Sequence, residues 1–220
     1  MATSGVTALR PTARDFVSGA LHDNAIIPLD EEPDAAEMEA CIKKLNQMLK
    51  SWSVKANLWR EESYTATVLA NTATLVLADD VQEVVDVRHV QSATYSRPLF
   101  QWARDQYRML PNRTTSGNPT AFTVTRGTDG LTLDVWPVPT TDITVEIDYI
   151  RAAEIVTDPS QTLDFREEFA EAVQTNLAVR CCPIFEKQPH PVLVGLAQRL
   201  EGEMLDHDRP DSYYMVPYCA

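Results

Sequence analysis

The chain has 220 residues, 44% of them apolar and 23% charged, the proportions of an ordinary globular protein, and a chain this long buries roughly 70% of its extended surface, which excludes disorder throughout. Acidic residues outnumber basic ones 32 to 19, a formal net charge of −13, so the chain is a poor general binder of nucleic acid, where affinity comes from neutralising phosphates. No uncharged apolar run reaches the ~20 residues of a membrane helix, Met1–Gly5 lacks the basic and apolar parts of a signal peptide, and four cysteines without CxxC spacing are expected as reduced thiols rather than a disulfide scaffold.

The first predicted element is a helix over 13–21. Thr12 caps it, Asp15 follows three residues on, and Phe16, Val17, Ala20 and Leu21 form an apolar stripe. A second helix is predicted over 34–52. Asp34 and Glu37 have capping-box spacing after Pro33, and Met38, Cys41, Ile42, Leu45, Met48, Leu49 and Trp52 recur at steps of three and four. Lys43, Lys44 and Lys50 mark its opposite face. Six acids and no base lie between Asp30 and Glu39, where the positive end of the helix dipole favours them.

From about Glu62 to Ile155 the period becomes two. Tyr64, Ala66 and Val68 alternate with polar residues, Thr74–Leu77 is a short apolar run, and Val81–Val90 is valine-rich and extended. Residues 121–126 and 131–136 flank Gly127-Thr128-Asp129-Gly130, a hairpin signal in which glycine relieves the steric cost of reversal. Pro137 and Pro139 end the second arm because neither can donate to a ladder. Ile143, Val145, Ile147 and Tyr149 then share one face of a further strand. Within this stretch, Leu99–Met109 reads as a short helix.

Two helices follow. Asp164 and Glu167 have capping-box spacing before a helix over 165–179, with Phe169, Ala172, Val173, Asn176 and Leu177 inward and Pro183 as its stop. The last helix is predicted over 191–205, with Leu193, Leu196, Ala197, Leu200 and Met204 at helical spacing. The expected fold class is α+β: a helical bundle body made by the N- and C-terminal helices, with an antiparallel β insertion between them. The expected divisions are 1–61, the N-terminal helices; 62–155, the β-rich insertion with one short helix; 156–207, the C-terminal helices; and 208–220, an extended tail.

Chemistry is sparse. Walker, GxSxG and HExxH spacings are missing, and His22, His89, His190 and His207 are scattered, so no catalytic residue, metal site or cofactor is expected. Glu31/Glu32 and Glu167/Glu168 sit at helix starts, where acids belong on dipole grounds. One segment departs from the acidic background. Between Arg88 and Arg113 lie five arginines, no lysine, and Tyr95, Phe100, Trp102 and Tyr107. Guanidinium forks beside aromatic faces suit anionic partners, which makes Arg97, Arg104, Arg108 and Arg113 candidate contacts; the alternative is a solvated helix whose aromatics pack on the sheet.

Three blocks occur in order over roughly residues 13 to 205: Glu32-Pro33-Asp34-Ala35-Ala36-Glu37-Met38-Glu39 leading into Leu45-Asn46-Gln47-Met48-Leu49-Lys50-Ser51-Trp52; Gly117-Asn118-Pro119 with Leu133-Asp134-Val135-Trp136-Pro137-Val138-Pro139; and Glu171-Ala172-Val173-Gln174-Thr175-Asn176-Leu177-Ala178-Val179-Arg180. Together they resemble the packaged-DNA stabilisation, or tail accessory, family: the head-to-tail adaptors of tailed bacteriophages. The resemblance implies a structural virion protein rather than an enzyme. It would form a ring, commonly dodecameric, under the portal protein, help retain packaged DNA, and give tail nozzle or tail tube proteins a platform. DNA would pass its channel without sequence-specific binding, no membrane would be involved, and the protein would reside at the head–tail junction after assembly in the host cytoplasm. Two alternatives stay open, a tail-associated peptidoglycan hydrolase, since some relatives are described so, and a DNA-binding protein using the Arg88–Arg113 stretch.

The tail, 206–220, starts charged and ends with Tyr213, Tyr214, Met215, Val216 and Tyr218. Pro210 and Pro217 oppose a helix. Tyrosine gives large contact area at low entropic cost, so this segment is expected to be an arm that binds a neighbouring subunit or the portal.

Overall fold

Two capping boxes open the first two helices. At α1 (Ala13–Asp23), the Thr12 amide donates to Asp15 Oδ2 at 2.8 Å and the Asp15 amide to Thr12 Oγ1 at 3.3 Å. At α2 (Ala35–Ser53), the Asp34 amide donates to Glu37 Oε2 at 3.0 Å and the Glu37 amide to Asp34 Oδ1 at 2.8 Å. Reciprocal bonds of this kind satisfy amides that a helix start leaves without partners. The computed structural model describes residues 10–53, 61–127 and 130–207. The chain divides into two compact units, Met1–Leu58 with Ala153–Ala220, and Trp59–Ala152.

Eight strands make up the middle unit: β1 (Glu61–Val68), β2 (Thr74–Val76), β3 (Val81–Ser92), β4 (Tyr95–Pro98), β5 (Phe100–Gln101), β6 (Ala121–Gly127), β7 (Gly130–Trp136) and β8 (Ile143–Arg151), with the one-turn helix α3 (Arg104–Arg108) after β5. They form two four-stranded sheets, in the orders β1-β8-β3-β4 and β2-β7-β6-β5. The inward residues of both sheets make one core, with Val68, Val87, Phe122, Leu133, Val145 and Ile147 all at most 1% exposed. Each such side chain contributes roughly 1.5–3 kcal/mol on burial. The β6–β7 hairpin closes in register at Gly127↔Gly130. Gly130 has φ of +126°, a conformation that side chains rarely adopt.

In the other unit, α4 (Ala170–Cys181) and α5 (Pro191–His207) join α1 and α2. Helix α4 is enclosed on most sides: Ala172, Val173, Thr175, Asn176, Leu177, Ala178 and Cys181 are all buried. Gly19 on α1 makes room for it, since a Cβ there would lie 2.8 Å from the Gln174 side chain. Polar side chains tie distant segments to backbone. Asn46 Nδ2 donates to Val156 O at 2.8 Å and Asn46 Oδ1 accepts the Val156 amide at 2.9 Å. Lys50 Nζ donates to Ala153 O at 2.6 Å, and Asn176 Nδ2 to the carbonyls of Ala172 and Ala197 at 2.9 and 3.1 Å.

Several expectations are corrected. The described helices are not a bundle body carrying an antiparallel β insertion; the chain is a mixed α+β protein with two four-stranded sheets and five α-helices among the described residues. The sheets are not wholly antiparallel either, because β5 runs parallel to β6. The bundle reading treated four helices as equal amphipathic partners, whereas α4 is buried nearly all round and α1 and α5 lie mainly against it. Residues 99–109 are not one helix: Phe100–Gln101 is a strand and only Arg104–Arg108 is helical. Asp164 does not cap α4. It accepts the Glu154 amide at 3.3 Å, and a 3₁₀ turn over Glu167–Phe169 leads into the helix at Ala170.

Candidate partner-binding surface

The arginine segment lies where the chain leaves one sheet for the other. Strand β4 ends at Pro98, and buried Leu99 donates its amide to Val87 O at 2.8 Å. The amides of Phe100 and Trp102 then bond to Thr120 O and Phe122 O at 2.9 and 2.8 Å, which makes β5 the edge of the second sheet. Helix α3 follows. Its N-cap, Ala103, has no side-chain oxygen, but Gln106 Oε1 accepts the Ala103 amide at 3.1 Å. Trp102 lies beside Trp136, ring centroids 5.4 Å apart, and Trp136 Nε1 donates to Asn112 O at 3.3 Å, pinning the loop after α3.

The structure separates the four candidate arginines into two pairs. Arg97 Nη2 donates to Pro119 O at 2.6 Å, and Arg113 Nη2 donates to Arg108 O at 3.1 Å while its guanidinium sits 5.9 Å from the Tyr107 ring centroid. Arg104 and Arg108 are exposed, four residues apart on α3, and their guanidinium groups have no partner among the described residues. Phe100 and Met109 flank them at 72% and 81% exposure, and Tyr95 is 57% exposed. Exposed aromatic and methionine side chains beside such guanidinium groups make this a candidate contact surface. Asp105 is the acid within this helix. Tyr107 is partly buried, which pushes its phenol up; Asp134 adds to the shift and Arg113 opposes it.

A buried histidine lies close by. His89 on β3 is 7% exposed and borders a cleft with Asn118, Asp142 and Thr144. Burial lowers its pKa from the ordinary 6.5, Arg97 lowers it further, and a hydrogen bond with Asn118 opposes the shift. Both burial and Arg97 thus favour the neutral ring. The sequence placed His89 among scattered histidines and gave no sign of this cleft, because Asn118 and Asp142 are brought to it only by the sheets.

The helical unit carries a surface of opposite character. Asp30, Glu31, Glu32, Asp34 and Glu39 are exposed around the start of α2, and Leu29 beside them is 86% exposed. Arg14 pairs with Glu32 at 3.2 Å and Lys43 with Glu39 at 2.7 Å. The side chains of Asp30 and Glu31 have no partner among the described residues. A groove of about 310 Å³ opens here, with Met38 and Ile42 in its lining and Asp34, Glu39 and Arg14 beside them. The same unit holds three buried free thiols, Cys41, Cys181 and Cys182. The Cys181 thiol is held well above its usual range, first by its hydrogen bond with Cys41 and then by burial. Among the described residues no group of His, Cys, Asp and Glu could hold a metal ion, and no helix is long and apolar enough to cross a membrane. The tail residues Tyr213, Tyr214, Met215, Val216 and Tyr218 lie outside the described residues.

The chain thus carries two exposed candidate surfaces of opposite charge, one on each unit. The family described as SU10 adaptor protein matches residues 12–216, and the chain belongs to that family. It is thus a bacteriophage structural protein of the head–tail adaptor class, the class that the three sequence blocks resemble. No curated protein matches it. Among solved structures, a chain from the neck of an empty GTA particle, computed with C6 symmetry, aligns over 91% of this chain and 95% of that one. The identity is 15% and the TM-score 0.30, a superposition too loose to transfer contacts or roles.

Proposed function

We propose that this adaptor assembles as a ring, of twelve copies, under the portal protein at the head–tail junction, having been made and recruited in the host cytoplasm. There it helps retain packaged DNA and offers tail nozzle or tail tube proteins their platform. The observation that carries the reading is the family match across nearly the whole chain. Charge supports it: with a net −13, a ring of such subunits attracts phosphate weakly, so DNA passes the channel without sequence-specific binding. In this reading Tyr213, Tyr214, Met215, Val216 and Tyr218 anchor an arm on a neighbouring subunit or the portal. An extended chain of 15 residues reaches up to ~50 Å. The test is to add the purified chain to purified portal rings and count bound copies by mass photometry. A fixed stoichiometry matching the portal's symmetry is expected, and deletion of residues 209–220 should abolish attachment while leaving the melting temperature unchanged. Absence of binding by the intact chain sinks the reading; unfolding on deletion sinks the arm.

A further inference from the structure

We infer that the arginine segment of one copy docks into the acidic groove of a second copy of this chain, with Arg104 and Arg108 facing Asp30 and Glu31, and Phe100 and Met109 meeting Leu29 and the Met38–Ile42 floor. The inference deepens the ring reading and rests on it, by naming the two faces through which neighbouring subunits touch.

Three observations carry it. The first is charge. In a chain with 32 acids and 19 bases, two copies repel overall, so a contact must gather the scarce cations on one face. Arg104 and Arg108 do this: they lie four residues apart on α3, exposed, with guanidinium groups unpartnered among the described residues. Their counterpart, the Asp30–Glu39 stretch, has six acids, of which Glu32 and Glu39 are met by Arg14 and Lys43 and Asp34 and Glu37 by each other's amides. Asp30 and Glu31 remain.

The second observation is apolar complementarity. Phe100 (72% exposed) and Met109 (81%) lie within ten residues of each other, on either side of the two arginines, and Leu29 (86%) lies next to the two free acids. Side chains this large and this exposed are the anchors that interface cores use. The third is shape. A groove of about 310 Å³ with Met38 and Ile42 in its lining, beside Asp34, Glu39 and Arg14, is large enough for a phenylalanine or methionine side chain. Leu29, Asp30 and Glu31 lie just ahead of Pro33 of that lining in the chain, where the two acids repel a second copy's acids and attract its arginines. A nucleic acid or another acidic chain fits only one of the two faces; a second copy fits both. Because the two faces differ, the contact is heterologous, which is the kind that closes rings by rotation.

The test uses two charge-reversed full-length chains, Asp30→Lys/Glu31→Lys and Arg104→Glu/Arg108→Glu. All four positions are exposed, so both should melt like the wild type. Sedimentation velocity at high protein concentration and low salt should show self-association of the wild type that is roughly tenfold or more weaker in either variant alone, since like charges then face each other. Mixing the two variants should restore association, because each supplies the face that the other has lost. Phe100→Ser/Met109→Ser should weaken the wild-type contact at every salt concentration, whereas the charge effects should fade as salt rises. Variants that associate as the wild type does, a mixture that stays monomeric, or a wild type that never self-associates would each overturn the pairing. Copies bound per purified portal ring report the ring reading separately: a full complement from both variants would leave the ring standing and remove only this contact.

Discussion

The two units of this chain are held together by different means. In Trp59–Ala152 the long-range ties are strand ladders, and the core between the sheets is almost wholly aliphatic and aromatic. In the helical unit the backbone tie between distant segments is short, the amides of Ala13 and Arg14 reaching the carbonyls of Gln161 and Pro159, and side chains add further ties between segments 100 or more residues apart, as Asn46 does to Val156 and Lys50 to Ala153. A ladder spreads its cost over many weakly specific bonds. A side-chain tie concentrates it in one residue that no isostere fully replaces.

Truncation separates the two cases. Phe122→Ala, at a position 1% exposed in the core between the sheets, should cost about 3–5 kcal/mol, read by urea denaturation. Hydrogen exchange should rise across β6 and β7 first. Asn46→Ala should cost about 1–3 kcal/mol, because it strands a buried amide and a carbonyl at Val156. Asn46→Asp keeps the acceptor and loses the donor, so it should fall between. If Asn46→Ala costs as little as an exposed alanine substitution, the helical unit is not held by such ties. A smaller effect is expected from Asp34→Ala, about 1 kcal/mol from loss of the cap on α2, visible as fraying of its first turn in hydrogen exchange.

The smallest effect separates the units by pH. His89, buried in the sheet unit, has its pKa lowered from 6.5 by burial and by Arg97. A base with a lowered folded pKa binds fewer protons folded than unfolded, so the unfolded state gains as pH falls below about 6.5. His89→Gln should flatten the loss of stability of the strands between pH 6.5 and the lower folded value, with little change at pH 8. An unchanged slope in the variant would show that His89 does not set it.

Local chemistry made much of the fold legible. Thr12/Asp15 and Asp34/Glu37 announce two helices because cap and back-bond lie three residues apart, and the alternation of Ile143, Val145, Ile147 and Tyr149 announces β8 because its period is the pleat itself. Legibility fails where a residue's partner is distant. Asp164 has capping spacing, yet its carboxylate goes to Glu154. Phe100 and Gln101 look helical beside Arg104–Arg108 and become a strand only because β6 is there to pair with. The stripe on α4 looks like one face of an amphipathic helix because small residues such as Ala178 and Thr175 conceal that the other faces are buried too. The candidate surface follows the same rule. Composition singled out the arginines, but which were engaged depended on a carbonyl at Pro119 and on a ring at Tyr107.

The helical unit is discontinuous, its first two helices meeting α4 only after the eight strands have been made. On a ribosome this imposes a sequence of events. The strands from Glu61 to Arg151 emerge as one uninterrupted stretch and fold as a unit, whereas α1 and α2 wait with their apolar faces open until the helices after Ala153 have left the exit tunnel. The loop closed at that moment spans the whole sheet unit, but a folded sandwich holds its ends at fixed positions, so the entropic cost is far below that of a flexible chain of the same length. Pairing of β1 with β8, Glu61 opposite Ile150, thus keeps the two ends of the sheet unit on neighbouring strands while the last helices are being made.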